Sequence, residues 1–124
     1  MNKLEYAPLV KKKLMELKKW LIDKYDERVA KEVITGIVSD AEILIENEHC
    51  GINISQTYNL DTKYWYLFSH QHYLIYRIET NKVVIVQMFH EREDFMMKLF
   101  GVSGRTQESI DYWGELHILI IPLV

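Results

Sequence analysis

The chain has 124 residues and a formal net charge of −3. A chain of this length folds as one domain, because a second core would have too few residues to bury. Hydrophobic residues make up 48% and charged residues 27%, which is typical of a globular protein and excludes a disordered chain or a disulfide scaffold. The slight excess of acid disfavours a protein that binds polyanions over its whole surface, although one basic face remains open.

The cysteine count and the apolar runs indicate the cellular compartment. Cys50 is the single cysteine and cannot close an intramolecular disulfide. The first residues lack the apolar stretch of a secretory signal. The longest apolar run, residues 116–124, is about half as long as a bilayer span. The sequence therefore predicts a cytoplasmic protein that does not enter the membrane.

The first half of the chain predicts a strand followed by two helices. Residues 3–6 alternate polar and apolar side chains, as a short half-buried strand does. Helical spacing of apolar residues then predicts a helix from Pro8 to about Lys24. Asp26 is a suitable N-cap for a second helix that reaches about Asn47. The short connection predicts an antiparallel helical hairpin.

The second half predicts a small sheet and a last helix. Residues 51–62 show no clear period and are expected to form a loop. The three segments that follow have the composition of strands, and they are residues 64–69, 72–79 and 82–89. A short helix is expected over residues 91–100, with Gly101 at its end. The predicted class is α+β, in the order β-α-α-β-β-β, with the helical hairpin packed on a small antiparallel sheet.

A hydrophobic strand that ends in charged residues carries a family resemblance. The strand Val83-Val84-Ile85-Val86-Gln87-Met88-Phe89 leads into His90-x-Arg92-x-Asp94, and Tyr76-Arg77-Ile78 lies on the preceding strand. Together with the order of elements, these residues resemble the RelE/ParE toxins of type II toxin–antitoxin systems, the plasmid stabilisation protein family, and more closely the ParE-like branch. The resemblance covers about residues 3–100. It divides the chain into a toxin domain, residues 1–101, and an extension, residues 102–124, with an apolar tail.

The family resemblance implies one of two activities. RelE-like members cut messenger RNA on the ribosome with basic and aromatic side chains and no metal, whereas ParE-like members bind DNA gyrase. RelE-like members carry an arginine directly after a tyrosine on the middle strand of the sheet. Here Tyr73 is followed by Leu74, and Arg77 should lie on the opposite face of the strand from Leu74. Glu91 follows His90 where a basic residue is expected. The sequence therefore favours binding over cleavage.

The function predicted from this resemblance is a toxin that inhibits growth by binding an essential target such as DNA gyrase. The resemblance implies a cognate antitoxin that neutralises it, and it implies no cofactor and no metal. One alternative is a metal-independent, ribosome-dependent mRNA endonuclease. Another is an interaction module of the same fold without toxicity. The apolar tail, residues 116–124, could add a strand to a sheet edge, cover part of the antitoxin groove, or pack on a second copy in a homodimer.

The candidate site residues each have a structural alternative. The residues predicted to bind the target or to act in catalysis are His90, Arg92 and Arg77. The residues predicted to contribute to binding are Tyr73, His72, Lys12 and Lys19. A histidine and an arginine at a strand end could instead tie the last helix to the sheet, and a lysine-rich helix face could simply be solvated. The sequence His70-Gln71-His72 lacks a third ligand nearby and predicts no metal site.

Overall fold

The computed structural model describes residues 2–101, and the first of its two compact units ends at Met88 while the second begins at Phe89. The helices are α1 (Pro8–Lys24), α2 (Glu27–Ala41), α3 (Ile54–Tyr58) and α4 (Phe95–Phe100). The strands are β1 (Lys3–Tyr6), β2 (Ile52–Asn53), β3 (Tyr64–Ser69), β4 (His72–Glu79) and β5 (Lys82–His90). The predicted α+β class and the β-α-α-β-β-β core are confirmed.

The sheet has the strand order β1-β5-β4-β3-β2. Strands β3 and β4 pair antiparallel, and a two-residue connection joins β4 to β5, so the three predicted strands are neighbours in the sheet. Strand β1 adds a parallel pair, with Leu4 opposite Val83. The sheet is therefore mixed rather than purely antiparallel. A parallel pair requires a crossover, and the helical hairpin supplies the first part of that connection.

Local sequence signals fix the ends of the helical hairpin. Pro8 occupies the first turn of α1, and the Asp26 carboxylate accepts a 2.8 Å hydrogen bond from the backbone N–H of Val29 at the start of α2. The second helix ends at Ala41 and not near Asn47, because the chain tightens into a 3₁₀ turn over Glu42–Ile45. That turn still buries Leu44, which explains why the apolar spacing continued past the α-helical part.

The loop predicted over residues 51–62 is in part wrong, because this segment contains β2 and α3. Strand β2 pairs with β3, with Ile52 opposite Tyr66. The side chain of Asn53 then accepts a 3.1 Å hydrogen bond from the N–H of Gln56, and Ile54 is fully buried. Two- and five-residue elements are too short to show a period, and tertiary pairing stabilises them.

The core of the first unit lies where the hairpin meets one face of the sheet. Its buried members are Val10, Ile37, Ala41, Leu44, Leu74, Tyr76, Val83, Ile85 and Met88. Because side chains alternate along a strand, the presence of Leu74 and Tyr76 in this core places Tyr73 and Arg77 on the other face of β4. None of the helices within residues 2–101 has both the length and the apolar character that a membrane span needs.

The second unit contains the end of β5, a turn and α4. The predicted helix over residues 91–100 begins only at Phe95, since the Asp94 side chain caps it by accepting a 3.1 Å hydrogen bond from the N–H of Met97. Gly101 ends the helix as predicted, with a φ of 68°. The predicted extension, residues 102–124, and its apolar tail lie outside the described residues.

Candidate functional site

The turn after β5 brings His90 and Arg92 together in the second unit. The backbone N–H of Arg92 lies 3.1 Å from His90 Nδ1, and the N–H of Glu93 donates to the His90 carbonyl at 2.9 Å. The Glu93 carboxylate closes the turn, because one oxygen accepts from the His90 N–H at 2.8 Å and the other pairs with Lys98 Nζ at 2.6 Å. Residues 90–93 are therefore held by their own hydrogen bonds.

This geometry assigns different roles to the imidazole and the guanidinium. Because Nδ1 accepts a hydrogen bond from Arg92, its lone pair is used and the neutral ring carries its proton on Nε2. His90 thus fixes the backbone from which the exposed side chain of Arg92 extends. A turn held in this way presents the cationic side chain of Arg92 to the solvent from a fixed backbone position.

Arg77 lies on β4, opposite Tyr64 on β3, and forms an ion pair with Glu79. Both side chains are about one-third exposed, at 32% for the arginine and 36% for the glutamate. The hydrogen bond that Arg77 Nε donates to the Glu79 carboxylate raises the pKa of the Arg77 guanidinium, and the same bond lowers the pKa of the Glu79 carboxyl. Arg77 is therefore paired within its own strand, while the Glu79 carboxylate also lies 3.8 Å from Lys82 Nζ.

Tyr73 belongs to an aromatic cluster on the same sheet face. Its ring lies 5.4 Å from that of Tyr66 and 5.1 Å from that of Phe68, both edge-on. Phe68 is 48% exposed, so the cluster reaches the surface. Cross-strand aromatic pairs of this kind stabilise a sheet and also offer contact area to a partner.

His70 and His72 form part of a polar cluster at the β3–β4 turn. His72 is buried, and its Nδ1 donates to the His70 carbonyl at 2.8 Å. The Ser69 hydroxyl donates to the Asp40 carboxylate of α2 at 2.6 Å and lies 3.0 Å from His70 Nδ1. These contacts tie α2 to the turn. Within residues 2–101, no three or more histidine, cysteine or acidic side chains are grouped as metal ligands.

The polar cluster was missed in the sequence because Asp40 belongs to another element. The only sequence signal was the short span with two histidines. A further close approach supports the cluster, since a Cβ added to Gly36 would lie 2.4 Å from His70 Cε1. The glycine therefore lets the imidazole rest on the helix backbone.

Lys12 and Lys19 lie on the exposed side of α1, with Lys11 and Lys18 beside them. The core separates α1 from the sheet face that carries Tyr73 and Arg77. The sequence-predicted residues of the first unit are therefore not gathered into one site. His90 and Arg92 are brought together in the second unit.

Comparisons with known proteins agree with the fold. The family model for the ParE toxin of the type II toxin–antitoxin system parDE matches residues 4–95. A solved structure described as the chromosomal ParDE toxin–antitoxin system from P. aeruginosa matches with a TM-score of 0.60 and 13% sequence identity. That match covers 73% of this chain and 96% of the other chain, and at this identity it supports the fold alone. No curated protein matches the chain in sequence.

Proposed function

This chain belongs to the ParE toxin family of type II toxin–antitoxin systems, and we propose that it inhibits growth by binding DNA gyrase. We also propose that a cognate antitoxin neutralises it, since a toxin of this kind is encoded with its partner. The family match over residues 4–95 supports the toxin assignment. The choice of gyrase rests on the resemblance to ParE-like members, and the choice of binding over cleavage rests on the candidate site residues.

The observation that favours target binding over RNA cleavage is the ion pair between Arg77 and Glu79. Cleavage of an RNA phosphodiester needs cations that are available to the developing charge on the phosphorus. An arginine already paired with a carboxylate on its own strand would have to break that pair first. Glu91, next to His90, adds a further negative charge beside the turn. That carboxylate disfavours the approach of a phosphodiester to the turn.

Arg92 is proposed as the main contact to the target. Its backbone is fixed by His90 Nδ1, and Glu93 fixes His90 in turn. Because the turn is already ordered, binding would cost little additional conformational entropy. His90 and Glu93 are then positioning residues, and the exposed guanidinium of Arg92 is the group that meets the partner. Arginine is among the residues that contribute most at protein interfaces.

The experiment measures inhibition of supercoiling by purified gyrase as the full chain is titrated. The intact chain should inhibit supercoiling and trap cleaved DNA, and Arg92→Ala should weaken inhibition about tenfold or more. Arg28→Ala is the matched control, because Arg28 is 70% exposed and pairs only with Glu32 of its own helix among residues 2–101. The control should inhibit like the intact chain.

Two outcomes would refute the proposal. If gyrase is unaffected and induced expression produces cuts in messenger RNA at the ribosome, the chain is a nuclease. If induced expression leaves growth and both assays unchanged, the chain is an interaction module without toxicity. The antitoxin part is tested by co-expressing the protein from a short adjacent reading frame, which should restore growth.

A further inference from the structure

Helix α1 carries four lysines on its outward side, and we call Lys11, Lys12, Lys18 and Lys19 the lysine face. All four side chains are exposed. Within residues 2–101, none of the four forms an ion pair or a hydrogen bond. The chain as a whole has a net charge of −3, so this face concentrates positive charge on an otherwise acidic protein.

Helical geometry explains why the four lysines share one side. Lys18 follows Lys11 by seven residues and Lys19 follows Lys12 by seven, which is close to two full turns. The two pairs therefore lie in line, about 10 Å apart along the helix axis. The apolar stripe with Val10 and Leu21 is buried on the opposite side of the helix.

We propose that the lysine face binds the phosphate backbone of double-stranded DNA. Successive phosphates of one strand rise by about 3.4 Å along the duplex axis, so with α1 lying along that axis the two lysine pairs span about three phosphate steps. Helix α1 contains no arginine. Lysine contacts a phosphate oxygen as a compact point charge without a fixed fork geometry, which suits contacts that do not depend on base sequence. The positive charge and its regular spacing along α1 therefore fit the row of phosphates on a duplex.

The DNA contact is expected to be independent of base sequence. The lysine face carries no asparagine, glutamine or arginine that would read base edges in a groove. Two other exposed side chains lie among the lysines, Met15, at 72%, and Glu16, whose single carboxylate leaves the face with a net positive charge. Phosphate contacts position a protein on the duplex but carry no sequence information. A toxin held this way would gain affinity for any duplex next to its target.

The competing occupant is an acidic peptide in the groove between α1 and α2. This open groove has a volume of about 420 Å³ and is lined by Lys18, Ile22, Glu27, Lys31, Ile34 and Thr35. It shares only Lys18 with the lysine face, and Glu27 contributes a carboxylate that would repel an acidic partner. The unpaired lysines lie mainly outside it, which favours DNA.

The choice of DNA over RNA rests on the proposed gyrase target, while the binding itself can be measured without gyrase. The full chain is titrated into a labelled duplex of about 20 base pairs, and fluorescence anisotropy is followed over a range of salt concentrations. Four phosphate contacts predict a plot of log K against log salt with a slope of about −3.6. Lys12→Gln with Lys19→Gln should reduce the slope to about −1.8.

The matched control changes the charge equally at a different surface. Lys3→Gln with Lys63→Gln removes two exposed lysines from other elements and should leave the slope unchanged. Glutamine has a helix propensity close to that of lysine, so the α1 variant should remain folded. An unfolding curve of each variant checks this before binding is measured.

Four results would overturn the proposal. The first is no duplex binding at low salt, and the second is an equal loss in the control pair, which would indicate net charge alone. The third is that the chain binds polyglutamate more tightly than DNA and that Ile34→Asp abolishes the binding of polyglutamate. This result would assign an acidic peptide to the groove. The fourth is tighter binding to duplex RNA. A gyrase assay that fails while DNA binding persists would refute the proposed target and leave this inference standing.

Discussion

The hydroxyl of Tyr76 holds the chain segment before β2, and its removal is a direct test of the fold. It donates a 2.8 Å hydrogen bond to the Glu48 carbonyl and accepts one of 3.2 Å from the Gly51 N–H. The ring is fully buried in the core and stacks with Trp65 at 6.3 Å. Tyr76→Phe keeps the ring and removes only the two hydrogen bonds.

We expect Tyr76→Phe to lower the free energy of unfolding by about 2 kcal/mol at neutral pH. Each hydrogen bond contributes about 1 kcal/mol net, and the substitution leaves two backbone groups without this partner. The control is Tyr25→Phe, since Tyr25 is 57% exposed. That change should alter the free energy of unfolding by less than about 0.5 kcal/mol.

Unfolding measured at alkaline pH tests the same hydroxyl separately. Burial raises the pKa of Tyr76 to about 12, from an ordinary value of 10.0. Between these two pH values the unfolded chain has lost the proton while the folded chain retains it, so the free energy of unfolding falls as pH rises. This term is on the order of 2 kcal/mol, and the phenylalanine variant lacks it. The stability gap between the two proteins should therefore narrow above pH 10.

Urea unfolding at several pH values, followed by circular dichroism, measures both effects. The urea concentration at the midpoint should change. The slope of the free energy of unfolding against urea concentration should stay constant, because unfolding exposes the same surface in both proteins. Equal stability of Tyr76→Phe and the unaltered chain at neutral pH would refute the argument. A gap that stays constant or widens at alkaline pH would refute the assigned role of burial.

Two further substitutions test close packing. Gly51→Ala places a Cβ 2.5 Å from both the Tyr66 carbonyl oxygen and the Tyr76 hydroxyl. The free energy of unfolding should therefore fall by about 2 kcal/mol, and the melting temperature should fall with it. An unchanged melting temperature would contradict this packing. Tyr6→Phe removes a buried hydroxyl that has no hydrogen-bond partner within residues 2–101. Urea unfolding should therefore show that the free energy of unfolding rises by about 1 kcal/mol. A fall in the free energy of unfolding would contradict the unpaired state of this hydroxyl.

The candidate turn was predictable because its members are close in sequence. His90, Arg92 and Asp94 follow a hydrophobic strand, and the resemblance they carry agrees with the ParE toxin family match. The start of α4 was placed too early, since the pattern does not show that Glu93 closes a separate turn. The lysine face was likewise visible as helical spacing, although its lack of ion pairs required coordinates.

Arg77 shows where a sequence argument needs three dimensions. Its side of β4 follows from alternation, and the structure agrees, because Leu74 lies in the core. Its partner Glu79 lies two residues later on the same face of the strand, and the sequence argument did not consider it. The cluster of Asp40, Ser69 and His70 was invisible, since α2 and the β3–β4 turn meet only in the folded chain.

The sequence by itself determined the two long helices, the three central strands and the turns between them. These depend on contacts within a few residues: the Asp26 cap, the apolar periods, and Asn81, which adopts a φ of 59°. Only the tertiary structure decided that β1 pairs parallel to β5 and that β2 and α3 form at all. Their hydrogen bonds join residues far apart in the chain, so their stability depends on where the rest of the fold places the partner.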